Sequence, residues 1–133
     1  MLFRSVMGNR DRVQQLILNL VENGVKYNKE GGTVTITVMQ DEENINLIVA
    51  DTGIGIREEH LNRLFERFYR VDKGRSREMG GTGLGLAICK HIVHTMNGHI
   101  EVNSKYGEGT EFLVTLKKAP PEEQIAEVAP MEV

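Results

Sequence analysis

A single cysteine, Cys89, stands in the whole chain, which excludes an internal disulfide and suits a reducing compartment. Long apolar runs are missing too. Nothing approaches the roughly 20 consecutive apolar residues that a membrane-spanning helix needs, and Met1-Leu2-Phe3-Arg4 lacks the charged and apolar regions of a signal peptide. Nor is there a strong excess of one charge: 16 Lys and Arg against 19 Asp and Glu leave a formal net charge of -3. That is too little to draw the chain to nucleic acid or an acidic membrane, so any bound anion has to be held by a local site. What remains is an ordinary globular composition, 40% apolar and 26% charged over 133 residues, which is one domain with a core of its own. There are no internal repeats.

Between Asn9 and Asn28, Val13, Leu16, Ile17, Leu20 and Gly24 recur at helical spacing, with Asn9 as N-cap and Gly31-Gly32 as the stop. Thr33 to Val38 alternates strictly; after the acidic turn Asp41-Glu42-Glu43, Ile45, Leu47 and Val49 alternate again, predicting an antiparallel hairpin with one covered face. A short helix is expected from Arg57 to about Phe65, and a polar, basic, mobile loop from Val71 to Thr82. Leu84, Ile88, His91, Ile92 and Thr95 predict a second long helix ended at Asn97-Gly98. Strands follow near His99 to Ser104 and Thr110 to Leu116, turning at Gly107, and the acidic, proline-bearing tail 119–133 is expected to be disordered. The layout is α+β, a two-layer sandwich with helices on one face of a mainly antiparallel sheet. Because the strand ending at Asp51 does not lead straight into a long helix, a doubly wound dinucleotide fold is disfavoured.

Four stretches carry chemistry. In "NLVENGVKYN" (Asn19 to Asn28), Gln15, Asn19, Asn23 and Lys26 or Tyr27 form a polar line along the edge of the helix's apolar stripe. The spacing supports a ligand-facing edge, although on the helix alone surface or capping asparagines are the favoured reading. "DTGIGI" (Asp51 to Ile56) places a carboxylate at a strand end, an acceptor suited to an exocyclic amine, with glycines against which a flat group can lie; a tight turn favours the same residues. "GGTGLGLAI" opens the second long helix, where free N–H groups and the helix dipole attract phosphate oxygens. Between them, "LFERFYRVD" precedes Lys73, Arg75 and Arg77, cations that can close over a polyphosphate, with Phe65 and Phe68 read as core packing at the loop's hinge.

In this order the four stretches resemble the N, G1, F and G2 boxes of bacterial two-component sensor histidine kinases, over about Val6 to Leu116. "FYRVD" and "GGTGLGLAI" look most like the phosphate-sensing and cell-wall-sensing kinases. The resemblance implies the Bergerat-fold ATP-binding domain, spanning residues 1–118, with ATP and Mg2+ as cofactors. By that resemblance Asn23 is the Mg2+ ligand with Asn19 beside it, and Lys26 and Tyr27 face the phosphates and nucleotide. Asp51 accepts the adenine amine, Gly53, Gly55 and Ile56 line the base pocket, and Gly81, Thr82, Gly83, Leu84 and Gly85 shape the phosphate cradle. Arg70 is assigned to the γ-phosphate.

A neutral amide suits Mg2+ beside a triphosphate, because an added carboxylate would repel the phosphates. The hydrolysing relatives place a glutamate where this chain has Asn19, and an amide cannot act as a general base, which favours transfer over hydrolysis. The family's acceptor is a histidine usually followed by an acid on a separate helical-hairpin domain. None of His60, His91, His94 or His99 is followed by an acid, so the chain reads as a catalytic fragment not expected to autophosphorylate. Its implied partners are that acceptor domain and a downstream response regulator, with no nucleic acid and no membrane contact by this fragment. A cytoplasmic location under a membrane-anchored parent follows. The match begins late, so an upstream strand and helix are expected to be missing. Two other readings stay open: a non-catalytic nucleotide-sensing or protein-interaction module, and, disfavoured by Asn19, a hydrolase of the Hsp90 type. A metal site from Cys89, His91, His94 and His99 is disfavoured for want of paired-ligand spacing.

Overall fold

The computed structural model describes residues 10–70 and 85–118. Helix α1 spans Arg10–Lys26, with Asp11 in its first turn and Lys26 in its last, both favourable to the helix dipole. Val13, Leu16, Leu20 and Gly24 are its buried line, as the spacing predicts. Strands β1 (Val34–Gln40) and β2 (Asn44–Asp51) form the expected hairpin. In its turn the Asp41 carboxylate accepts hydrogen bonds from the N–H groups of Asn44 at 2.7 Å and Glu43 at 2.9 Å, which hold its carboxyl below the usual range.

Helix α2 (Glu58–Leu61) is shorter than predicted. Beyond it the chain advances by bonds of the i to i−3 kind, from Arg63 to His60, Leu64 to Leu61 and Glu66 to Arg63, so tight turns replace a continued helix. Helix α3 (Gly85–Thr95) closes where expected: Asn97 takes a left-handed φ of 55° and Gly98 N–H bonds back to the Val93 carbonyl. Strands β3 (His99–Lys105) and β4 (Gly109–Lys117) complete a four-stranded sheet in the order β1-β2-β4-β3, antiparallel throughout.

Alternation decides which face is covered. Ile45, Leu47 and Val49 of β2 and Phe112, Val114 and Leu116 of β4 point to one side, where they meet Leu16 and Leu20 of α1 and Cys89, Ile92 and Val93 of α3. Two helices on one face of the sheet give the predicted two-layer architecture.

Two expectations need correction. Ile36 and Val38 lie opposite Val49 and Leu47 and so share the core face, yet they are 46% and 50% exposed. Helix α1 packs more on β2 than on β1 and meets β1 at Val34 beside Gly24, so among the described residues nothing covers the far half of β1. Phe65 and Phe68 also part company. Phe65 packs against the core, but Phe68 is 67% exposed with a positive φ of 65°, because the left-handed turn swings it outward. The predicted N-cap Asn9, the loop 71–82 and the tail 119–133 lie outside the described residues.

Candidate nucleotide site

The end of the sheet nearest the α1 C-terminus carries a polar row. Asp51 pairs with Thr110 across β2 and β4, and Thr110 with Ser104 across β4 and β3, so three polar side chains share the core face at one level. Thr110 is the only buried polar or charged residue among those described. Asp51 is half-buried, and its carboxylate accepts from the N–H groups of Gly53, at 2.8 Å, and Thr110. Burial outweighs both and pushes its carboxyl above the usual range.

The loop after Asp51 is held on two sides. Ile54 N–H donates to the Tyr27 carbonyl at 3.0 Å, which binds the loop to the end of α1. A Cβ on Gly53 would sit 2.4 Å from that same carbonyl oxygen. On the other side Ile56 N–H donates to Ser104 Oγ at 2.8 Å, and a Cβ on Gly55, at φ 74°, would lie 2.2 Å from the Lys105 carbonyl oxygen. The Arg57 guanidinium stacks 4.0 Å over the Tyr106 ring and reinforces that seam. Both glycines are therefore demanded by close approach of the protein's own backbone, whatever else lies against them.

Along α1, Asn19, Asn23 and Lys26 are half-buried and Gln15 is exposed. Asn19 reaches the Cys89 thiol, on the flank that faces α3. Gly24 passes close to the base of Asp51, where an added Cβ would be 3.5 Å from the Asp51 Cβ. Gly24 and Tyr27 thus bring the last turn of α1, which also carries Asn23 and Lys26, against the loop after β2 that holds Asp51, Gly53, Gly55 and Ile56. Arg70 is half-buried beyond α2. The preceding Tyr69 is gripped at its hydroxyl by His60 Nδ1 and on its face by Arg63, 4.4 Å from the ring centroid. Gly85 starts α3, and an added Cβ there would meet nothing within 4 Å among the described residues; Gly81, Thr82, Gly83 and Leu84 lie outside them.

Reading along the chain missed Thr110, Ser104 and Asn28. Asn28 closes the first motif with a network of its own: Nδ2 donates to the Thr33 carbonyl at 2.9 Å, and Oδ1 accepts from Lys29 N–H at 2.9 Å and from Thr52 Oγ1 at 3.3 Å. A signal was present in Gly107-Glu108-Gly109-Thr110, a glycine-flanked threonine opening a strand. Its meaning depends on cross-strand register, which spacing does not reveal.

Chemically, the corner offers a half-buried acceptor at Asp51 and amide groups on the edge of α1. No group of three or more His, Cys, Asp or Glu side chains could hold a metal among the described residues. A hard cation here would rely on an amide oxygen and on oxygens brought by its ligand, which the donor set fits. Cys89 is sealed in the core, while His91, His94 and His99 are exposed.

Residues 8–120 match the family described as histidine kinase-, DNA gyrase B-, and HSP90-like ATPases. The chain belongs to this family. Within it the similarity is to sensor kinases: Sensor protein SrrB of Staphylococcus aureus is 45% identical over 108 residues, 81% of this chain and 18% of that protein. The solved structure of a mycobacterial sensor histidine kinase, MprB, superposes with a TM-score of 0.76 at 32% identity, covering 86% of this chain and 78% of that one. Full-length ShkA, solved in complex with AMPPNP, superposes at 0.67 with 33% identity over 81% of this chain and 22% of its own. The chain spans about a fifth of the length of the curated relatives it matches. Membership gives it a nucleotide-binding ATPase domain of the histidine kinase kind, and the antiparallel two-layer fold agrees with that.

Proposed function

We propose that this domain binds ATP with Mg2+ and passes the γ-phosphoryl group to a histidine on a separate helical-hairpin domain, in two-component signal transduction. The observation that carries the reading is the half-buried Asp51 carboxylate, which accepts from the N–H groups of Gly53 and Thr110 and stands where Gly24 of α1 comes close to it. An acceptor raised by burial invites a donor such as the adenine amine. Gly53, Gly55 and Ile56 shape that pocket, and Tyr27 and Lys26 lie on its phosphate side. Asn23 would hold Mg2+, which supplies charge neutralisation for the phosphates when bound. Asn19 beside it provides no base for water, so the domain's contribution is alignment and electrostatic stabilisation by Lys26 and Arg70 rather than hydrolysis. Gly81, Thr82, Gly83, Leu84 and Gly85 complete the phosphate side.

Residues 1–118 form the catalytic unit in this reading, and 119–133 an acidic tail. Its partners are the acceptor-histidine domain and, downstream, a response regulator. No helix of the described residues is long and apolar enough to cross a membrane, and we place the domain in the cytoplasm under a membrane-anchored parent.

Mixing the domain with γ-labelled ATP, Mg2+ and an isolated hairpin domain from a sensor kinase tests the proposal. Acid-labile label on the hairpin histidine is expected. Binding without transfer would instead support a nucleotide-sensing module, and rapid phosphate release by the domain alone would overturn the transfer reading.

A further inference from the structure

Ser104 is the end member of the polar row, and its hydroxyl has three neighbours. Ile56 N–H lies 2.8 Å from Ser104 Oγ, the Gly109 carbonyl oxygen 2.9 Å away, and Thr110 Oγ1 2.8 Å away. A serine hydroxyl has one proton to give and two lone-pair positions. Ile56 N–H can only donate and the Gly109 carbonyl can only accept. The Ser104 proton therefore goes to Gly109, one lone pair takes Ile56 N–H, and the other must take the proton of Thr110.

That count fixes the polarity of Thr110. Its only hydroxyl proton is committed to Ser104, so towards Asp51, its other neighbour in the row, Thr110 can present lone pairs alone. Asp51 and Thr110, level with each other on the core face of the sheet, then both offer acceptors to a base seated in this corner. A purine carrying an amine at position 6 meets them with protons. A purine carrying an oxygen there keeps one proton, on N1, which can serve one of the two acceptors, but its oxygen then faces the other, and a buried acceptor left facing another is penalised far more than a missed contact is rewarded.

We infer that Ser104 is a specificity-determining positioning residue, which acts through Thr110 to make the base pocket discriminate 6-amino from 6-oxo purines. It touches no nucleotide itself. Without its hydroxyl, Thr110 is free to rotate and donate, and a 6-oxo group gains a partner. The inference rests on the reading of Asp51 as the base acceptor, and it adds a proton-orientation role that the Asp51 contacts alone do not supply.

The test is competition of ATP and inosine triphosphate, each with Mg2+, against a fluorescent ATP analogue, read as the ratio of the two dissociation constants. A ratio of affinities is insensitive to a general loosening of the loop, which weakens both ligands together. The parent is expected to prefer ATP; equal affinities would overturn the base-pocket reading and this inference with it. Given that preference, Ser104→Ala is expected to narrow the ratio about tenfold, the worth of one hydrogen bond, and Ser104→Thr, which keeps a hydroxyl, to retain it. Thr110→Val provides a second route should Ser104→Ala not fold, and is also expected to narrow the ratio. If either Ser104→Ala or Thr110→Val leaves the ratio unchanged, or if Ser104→Thr narrows it as far as Ser104→Ala, the inference fails while Asp51 keeps its role.

Discussion

The Phe65 ring meets the Phe112 ring edge-on, with centroids 6.2 Å apart and planes at 71°. Phe112 lies in the middle of β4 and is 1% exposed, whereas Phe65 sits on the segment that leads to Tyr69 and Arg70. The contact fastens a turn-rich segment to the buried middle of β4. Phe112→Ala is expected to lower unfolding free energy by about 3–5 kcal/mol. A double-mutant cycle with Phe65→Ala should return a coupling of about 0.5–1.5 kcal/mol beyond burial. Urea midpoints of the four proteins measure both; a coupling of zero would mean that the segment does not depend on this anchor.

Asp51 gives a prediction in pH. Burial raises its carboxyl above the unfolded value, so the folded state holds the proton more tightly than the unfolded chain does. The group's favourable contribution is complete below about pH 3.9 and is lost as pH rises through the higher folded value. At pH 7 the ionised carboxylate is a net cost to folding. Asp51→Asn should therefore melt at or above the parent at pH 7, with the advantage shrinking as pH approaches 3, while adenine preference is lost. Thermal melts at the two pH values check this. An asparagine variant that is less stable at neutral pH, and recovers in acid, would show that the hydrogen bonds from Gly53 and Thr110 outweigh burial.

Cys89 reports on opening of the core. Burial between α1 and α3 pushes its thiol up to about 12, its side chain is 0% exposed, and its Sγ lies 4.0 Å from the Leu16 carbonyl oxygen. At pH 8 roughly one thiol in ten thousand is ionised, and the thiolate is the reactive form. Native protein should resist an aromatic disulfide reagent at pH 8 and react fully in denaturant. Labelling in between should follow the free energy of opening, and ATP with Mg2+ should slow it by a factor of one plus the ratio of free ligand to its dissociation constant. Prompt stoichiometric labelling of native protein would contradict the packing described for α3.

Much of this architecture was legible because it is local. The apolar spacing of Val13, Leu16 and Leu20 marks the buried line of α1; Asp41 marks the β1–β2 turn; Asn97-Gly98 marks the end of α3. What escaped is non-local. That Ile36 and Val38 stay exposed depends on where α1 crosses the sheet, which their alternation cannot reveal. Phe68 faces outward because of one left-handed residue in a turn, where the aromatic spacing predicts core packing. The row Asp51, Thr110, Ser104 joins positions some fifty residues apart, and only the register of three strands brings them level.

Two glycines of the candidate site make opposite predictions. Gly53 has no room: an added Cβ would stand 2.4 Å from the Tyr27 carbonyl oxygen and 2.9 Å from Asp51 Oδ1, and the first of these is backbone that cannot move without releasing α1 from the loop. Gly53→Ala should cost about 1–3 kcal/mol, as overpacking does, and should weaken adenosine and ATP binding together, because the loop that carries Asp51 is displaced. At the first position of α3, an added Cβ on Gly85 would meet nothing within 4 Å among the described residues. Gly85→Ala should leave stability unchanged or raise it by about 0.4–1 kcal/mol by restricting the unfolded chain. If phosphate oxygens approach this helix start, the added methyl group should still weaken ATP while sparing adenosine. Calorimetric titration of both ligands into both variants separates the cases. Should Gly85→Ala bind ATP as the parent does, the phosphates do not pass this position, and the cradle belongs elsewhere in the glycine-rich stretch.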